Sequence, residues 1–69
     1  MTVKFINVGG SRMTWEEALP NLEWSTLKKA VHRKGAIVSR YPEFDLNDDG
    51  RGGAIIAGFR TVGKFEVIS

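Results

Sequence analysis

The residues whose types and spacing are best suited to chemistry lie between positions 25 and 34 of this 69-residue chain. The segment holds four of the ten Lys and Arg side chains and the only His. At the roughly 100° per residue of a helix, Leu27, Ala30 and Val31 share one narrow side, and polar or basic side chains cover the rest. Such a helix can pack on a small core and present cations to the phosphates of a nucleic acid. A solvated face, built from the good helix formers Lys and Arg, is the alternative interpretation.

The charge distribution sets this segment apart from its surroundings. The net charge of the chain is only +2 at pH 7, which by itself is a weak argument for a polyanionic partner. Acidic residues, however, lie on both sides of the basic segment: Glu16, Glu17 and Glu23 before it, and Glu43, Asp45, Asp48 and Asp49 after it. The segment is therefore a positive island between acidic stretches.

Other candidates for catalysis or metal binding are few. The chain has no Cys and a single His, His32, so disulfides, thiolate metal sites and a structural zinc site lack their usual residues. A catalytic triad would depend on His32, which we interpret as a surface residue of the basic segment. Glu16 and Glu17 are adjacent, so on a helix they project about 100° apart, a poor geometry for paired acid–base work. We expect neither an enzyme nor a bound cofactor.

The acidic segment after residue 44 contains part of a calcium-loop pattern. Asp45, Asn47 and Asp49 supply oxygen side chains at positions 1, 3 and 5, and Gly50 stands at position 6. Position 12 is Ile56 instead of the bidentate Glu that completes such a loop. Asp, Asn and Gly are also ordinary turn residues. We expect a plain loop without a metal, with those three oxygen-bearing residues as the ligands if a metal is bound.

Two arginines and most of the aromatic residues complete the set of candidates. Arg51 precedes a Gly-Gly pair, and Arg60 lies between two glycines; each could touch a nucleic-acid backbone or minor groove from a hairpin, or the glycines could simply permit turns. Trp15 and Trp24 are expected in the core, with stacking on bases as the alternative. The four Phe residues are expected to face the core from strands: Phe5, Phe44, Phe59 and Phe65.

The elements that position these residues begin with a strand. β-Branched and aromatic residues fill Thr2–Val8, and a Gly-Gly pair then marks a turn. Thr14 and Glu17 match a capping box, which predicts a helix starting at Trp15. Pro20 makes that helix short or kinked.

A second helix is predicted from Ser25 to Lys34. Continued backward at the same phase, it would place Leu22 on the polar side and Glu23 toward the core. This conflict predicts a break before Ser25, which is a competent N-cap residue. Gly35 supplies the C′ position.

The rest of the chain is predicted to form strands and loops. Residues 36–40 form a short strand, 41–53 a long connection, and 54–60 and 64–68 a terminal hairpin that turns at 61–63. All 69 residues are expected to form a single α+β domain, with an N-terminal strand, two short helices and a C-terminal antiparallel β-hairpin.

Four short motifs follow one another within residues 13–35: MTWEEA, a Leu-x-x-Ser turn at Leu22, Thr-Leu at 26–27 and Arg-Lys-Gly at 33–35. They resemble the small winged helix-turn-helix proteins of the excisionase and MerR type, found in phages and mobile elements. The resemblance implies that the second helix lies in the major groove of DNA and that the hairpin acts as a wing. The expected DNA contacts are Ser25, Thr26, Lys28, Lys29, His32 and Arg33, with Arg51 and Arg60 assisting from the hairpins.

The predicted function is that of a small regulatory protein that binds double-stranded DNA, in transcription or in recombination of a mobile element. A second hypothesis is an inhibitor or adaptor that docks on a host protein such as RNA polymerase or a nuclease, through the acidic stretch 43–49 and exposed sheet edges. A subunit that assembles with itself is a third. No apolar run approaches the roughly 18 residues of a membrane span and no signal peptide is evident, so a cytoplasmic protein is expected.

Overall fold

Alternating apolar and polar residues at the N-terminus form the first strand, β1 (Thr2–Val8), as the sequence predicts. Val3 and Phe5 are fully buried, and Lys4 between them is only partly so. The structure is a computed structural model that describes all 69 residues. The other elements are β2 (Met13–Ala18), α1 (Trp24–Lys34), β3 (Glu43–Leu46), β4 (Gly52–Ala57) and β5 (Arg60–Val67).

The strands form one five-stranded sheet in the order β2-β1-β5-β4-β3. Every neighbouring pair is antiparallel, and β1 pairs both with the strand that follows it and with the last strand of the chain. The winged helix-turn-helix fold predicted from the sequence is therefore wrong. The chain has one helix instead of two, and the terminal hairpin is an internal part of the sheet instead of a projecting wing.

The segment predicted as the first helix is the edge strand β2. Its side chains alternate between half-buried and exposed, with Trp15 on the buried side. The Trp15 ring stacks on Phe5, its partner in β1, with centroids 4.7 Å apart, and such a pair contributes about 0.5–1.5 kcal/mol. Thr14 caps no helix, because its Oγ1 accepts a hydrogen bond from the Asn7 N–H at 3.1 Å. Pairing with β1 overrides the capping-box pattern because it satisfies a whole row of backbone groups.

α1 begins close to its predicted start and ends where the sequence predicts. Its first residue is Trp24, so the predicted N-cap, Ser25, lies inside the first turn. The N-cap is Glu23, which makes no side-chain cap; its own N–H donates to Asn21 Oδ1 at 3.0 Å. Gly35 ends the helix with φ of 77° in the left-handed region that glycine adopts without strain.

α1 crosses one face of the sheet from the edge at β3 toward the edge at β2. At its start, Trp24 Nε1 donates a hydrogen bond to the Pro42 carbonyl at 2.7 Å, beside the edge strand β3. In its last turn, Arg33 forms an ion pair with Glu17 of the opposite edge strand, β2. Its buried residues are those predicted, Leu27, Ala30 and Val31. They pack on Val3, Phe5, Val8, Leu19, Ile37, Ile55 and Phe65.

The C-terminal half departs from the prediction in three places. Residues 36–40 form no strand. β3 lies within the predicted long connection and pairs Phe44 with Ile55 in the register of the sheet. The last hairpin turns at Gly58–Phe59, not at residues 61–63. This shift of the turn brings a Phe residue to the tip of the hairpin.

Candidate nucleic-acid interface

Five of the six helix residues predicted to contact DNA share the outward face of α1. With Trp24 they line an open depression of about 470 Å³, and they are Ser25, Lys28, Lys29, His32 and Arg33. The sixth, Thr26, lies outside the depression, and its hydroxyl donates to Asn21 Oδ1 at 2.7 Å. Three of the four cations of the basic segment are thus gathered on one face, as contact with a row of phosphates requires; the fourth, Lys34, lies over the Trp15 ring.

Most charges on this face already have partners within the protein. Lys28 Nζ lies 5.0 Å from the ring centroid of Trp24 and 5.6 Å from that of Tyr41, so two aromatic rings hold it. Arg33 is paired with a carboxylate of β2. Lys29 is exposed and has neither an ion pair nor an aromatic partner. It is the free cation of the helix face.

His32 is fixed by the loop that follows the helix. Its Nε2 lies 2.7 Å from the Ser39 carbonyl oxygen. Because a carbonyl oxygen only accepts, Nε2 must carry the proton and donate it to this hydrogen bond. The contact ties the outward face of α1 to the loop of residues 35–42.

A second exposed surface lies where three connections meet at one end of the sheet. The connections are Gly9–Arg12 between β1 and β2, residues 35–42 between α1 and β3, and Gly58–Phe59 between β4 and β5. We call this region the turn end. Residues from all three connections surround an open cavity of about 520 Å³.

Close packing at Gly9 joins two of these connections. A Cβ atom at this position would overlap the carbonyl oxygen of Ala36, and φ of Gly9 is +78°. Only glycine avoids both the collision and the strain of the left-handed region. The Gly9 N–H also donates to the Val62 carbonyl at 2.9 Å. The turn between β1 and β2 is therefore locked to β5 and to the loop after α1.

Backbone strain is concentrated around the turn end. Three residues other than glycine have positive φ: Asn7 (51°), Arg12 (52°) and Phe59 (68°). Asn visits this region readily, whereas for other residues it costs about 1–2 kcal/mol. All three residues lie in, or within two residues of, the turns between β1 and β2 and between β4 and β5. An observed cluster of this kind is a reason to look for function.

Phe59 is fully exposed, with a relative accessibility of 105%, so the prediction that it faces the core is wrong. It follows Gly58, whose φ is 60°, in a two-residue turn between Ala57 and Arg60. Two successive positive φ angles are the pattern of a type I′ turn, for which Asn-Gly is preferred. Side chains exposed on or beside the turn end also include Val38 and Tyr41, together with Trp24, which the sequence placed in the core.

Arginines flank the exposed aromatic residues. Arg12 and Arg60 line a polar groove of about 420 Å³ together with polar side chains of β1 and β5. Arg40 is exposed in the loop before Tyr41. One carboxylate is close by, because Glu43 lines a small cavity of about 270 Å³ with the aromatic pair Tyr41 and Phe59. The turn end thus combines cations, exposed rings and strained backbone.

The remaining predicted contact, Arg51, lies apart from this surface. It precedes β4, whereas Arg60 follows the turn at the far end of that strand. A six-residue strand spans about 20 Å, so Arg51 cannot join the surface that contains Arg60. Its N–H donates to Asp49 Oδ1 at 2.9 Å, within the loop between β3 and β4.

The predicted calcium ligands belong to the same hairpin. Asp45 lies in β3 opposite Ala54, and the N–H of Asn47 donates to the Gly52 carbonyl at 2.8 Å. Asp49 accepts the hydrogen bond of the Arg51 N–H, as Asp side chains do in turns. No group of three or more His, Asp or Glu side chains is arranged to hold a metal ion.

Five candidate residues of the turn end were missed by sequence reasoning: Arg12, Val38, Arg40, Tyr41 and Phe59. The one available signal is Gly58 between two runs rich in β-formers, which fits a two-residue hairpin turn. A Phe beside it is ordinarily assigned to the core, and the predicted turn at 61–63 begins three residues after the observed one.

Comparisons of the chain with protein-family models, with curated proteins and with solved structures give no match. No helix in the structure has the length and apolar composition needed to cross a membrane. The chemistry of the helix face and of the turn end is therefore what a function for this chain must explain.

Proposed function

We propose that this protein binds nucleic acid through the outward face of α1 and the turn end. The observation that carries the proposal is the contact of Lys28 with two aromatic rings, Trp24 on α1 and Tyr41 in the loop. Tyr41 in turn lines one cavity with Phe59. Cations and rings therefore alternate along a continuous surface, the composition that phosphate contact and base stacking together require.

The placement of charge supports the same function. Basic residues occur on both parts of the surface, with Lys29 on the helix face and Arg12, Arg40 and Arg60 at the turn end. Asp48 and Asp49 lie in the loop between β3 and β4, at the other end of the sheet. Glu17, which pairs with Arg33, and Glu43 also lie on this surface, but its cations outnumber them, and this excess favours a polyanion.

DNA is the proposed nucleic acid, and a small regulatory protein of the cytoplasm is the corresponding biological role. The contacts proposed for α1 are to phosphates, which duplexes and single strands share. A binder with three to five phosphate contacts should lose affinity steeply with salt, with a slope of log K against log salt of about −3 to −4.

The test is a fluorescence-anisotropy titration of labelled DNA with the protein at two salt concentrations. Lys29→Ala should weaken binding about 3- to 10-fold, since it removes the free cation of the helix face. Lys64→Ala is the matched control, because Lys64 is also exposed. Side chains alternate along β5, so Lys64 lies on the face of the sheet opposite to the buried Phe65 and to α1. Absence of binding at 50 mM salt, or equal losses for the two variants, would contradict the proposal.

A second candidate function is docking on a protein such as RNA polymerase or a nuclease. The observation that favours it is the exposure of Val38, Tyr41 and Phe59 at the turn end, because aromatic residues that become buried on binding, with arginines nearby, are the usual centre of a protein interface. The sheet edges β2 and β3 offer further unpaired backbone groups. Such a complex should depend on these apolar side chains and respond weakly to salt, which distinguishes it from the nucleic-acid complex.

A further inference from the structure

The tip of the hairpin between β4 and β5 is built at the expense of stability. Phe59 is exposed on all sides and has φ of 68°, so its ring gains nothing from burial while its backbone is strained. Asn or Gly would form the same turn without either disadvantage. A large ring held at such a position is available for contact with something outside the chain.

The surroundings of the tip decide what kind of contact it suits. On the side of β3, Phe59 shares a small cavity with Tyr41, a second exposed ring. On the side of β1, Arg60 and Arg12 line a polar groove. Aromatic faces on one side and guanidinium groups on the other match the two parts of a nucleotide, its base and its phosphate.

We infer that the turn end binds single-stranded nucleic acid, with an unpaired base stacked on Phe59 and backbone phosphates held by Arg12 and Arg60. This inference rests on the proposed function and specifies its substrate class. In a duplex the faces of the bases are covered by their neighbours and only their edges are open, whereas in a single strand a base can turn out and stack on a side chain. A ring at the tip of a two-residue turn is suited to the second situation.

Charge favours a nucleic acid over a protein as the occupant. The cations around the two exposed rings, Arg12, Arg40, Arg60 and Lys28, outnumber the single carboxylate of Glu43. An apolar protein patch would leave most of those cations without partners, whereas a strand that crosses the turn end offers a phosphate at each nucleotide. The occupant is therefore a nucleic acid, and a protein partner is an alternative outcome of the experiment below.

The experiment compares binding of a labelled 12-nucleotide single strand of DNA with that of a 12-base-pair DNA duplex, using the full chain and three variants of Phe59. Phe59→Asn suits the positive φ and removes the ring, Phe59→Leu keeps an apolar side chain without a ring, and Phe59→Trp keeps a stacking surface. We expect the wild-type protein to bind the single strand at least 5-fold more tightly than the duplex. Loss of the ring should weaken single-strand binding about 5- to 50-fold and duplex binding less than 2-fold.

The outcomes separate this inference from the proposed function. Equal single-strand affinity for Phe59→Leu and the wild type would overturn stacking, because an apolar side chain without a ring would then suffice. Duplex binding as tight as single-strand binding, insensitive to every Phe59 variant, would overturn the inference and leave the proposed function standing. No binding of either probe by the wild type at 50 mM salt would overturn both and leave a protein as the partner of the exposed rings. A melting temperature of Phe59→Asn at or above that of the wild type shows that its loss of binding is not a loss of folding.

Discussion

The outward face of α1 and the turn end present the same kinds of charge in very different structural settings. On α1 the cations stand on a regular helix, and two of them, Lys28 and Arg33, already have partners in the protein. At the turn end, Arg12 and Phe59 have strained backbones, and Phe59 is fully exposed. A basic helix face needs no function to explain it, because Lys and Arg are good helix formers that water solvates well. Strain combined with an exposed ring has no such ordinary explanation.

The difference shows which observations carry information about function. Charge pattern identified α1 from the sequence, but the same pattern is equally typical of a solvated surface. The turn end is distinguished by strained backbone and an exposed aromatic ring, both of which lower stability. Neither can be recognised before φ angles and exposures are known. The two regions can be compared directly by pairs of substitutions, one in each region, that change the same chemistry.

The largest contrast is expected from alanine at two glycines that both have positive φ. Gly9→Ala at the turn end should destabilise the protein by about 3 kcal/mol or more, because the added Cβ meets the Ala36 carbonyl and the backbone is strained as well. Gly35→Ala at the end of α1 has a similar φ and open space around it, so only the strain of about 1–2 kcal/mol applies. Urea unfolding followed by circular dichroism measures both. Equal losses would show that the turn end is not locked by this contact.

A second contrast compares two valines. Val31→Ala on the buried side of α1 should cost about 2 kcal/mol, from lost burial and the cavity left behind. Val38→Ala at the turn end removes a side chain that is 99% exposed and should change stability by less than about 0.5 kcal/mol. The same unfolding experiment applies. A loss at Val38 comparable to that at Val31 would mean that the turn end is packed, not open.

Much of the helix region could be predicted from the sequence, because its signals are local. The apolar spacing of Leu27, Ala30 and Val31 and the stop at Gly35 are confirmed. β2 could not be predicted in the same way, since Thr14 and Glu17 carry a helix-start pattern within a segment that also alternates. Pairing with β1 decides between helix and strand, and this pairing cannot be seen in the local sequence of residues 13–18.

The turn end was predicted poorly for a related reason. Its residues come from three connections, of which the first and the last are more than 40 positions apart in the sequence, and the fold alone brings them together. Phe59 was assigned to the core because an aromatic residue between β-forming runs usually faces inward. Its exposure depends on the register of β4 and β5, which places the turn at Gly58–Phe59.

The third contrast places glycine at one position in each region and expects opposite effects on stability. Phe59→Gly should stabilise the protein by about 1 kcal/mol, because glycine adopts φ of 68° without strain, and this raises the melting temperature by about 4–8 °C. Lys29→Gly on α1 should destabilise it by about 1 kcal/mol, the ordinary cost of glycine inside a helix. Thermal unfolding measures both. If Phe59→Gly is also destabilising, Phe59 has a structural role at the tip, and its exposure no longer points to function.

The smallest contrast lies within β2, at two neighbouring carboxylates. Glu17→Gln removes the partner of Arg33, while the amide oxygen can still accept the hydrogen bond that Trp15 Nε1 now donates to Glu17 at 3.1 Å. Arg33 is exposed and Glu17 is partly so, and an ion pair at the surface contributes only about 0–1 kcal/mol, so stability should hardly change. The released Arg33 should strengthen DNA binding about 2-fold, within the factor of 5 that such a pair allows.

Glu16→Gln is the matched control for this last substitution. It removes the same charge one residue away, from the exposed side of β2, and leaves Arg33 paired. Any gain in DNA affinity shared by the two variants measures the effect of removing one negative charge. The additional gain for Glu17→Gln measures the contribution of the released Arg33. That additional gain should shrink as salt rises, because the counterions displaced by a phosphate contact of Arg33 are then released into a more concentrated solution and gain less free energy. Identical affinities for the two variants at low salt would remove Arg33 from the binding surface and leave Lys29 as the cation through which α1 contacts DNA.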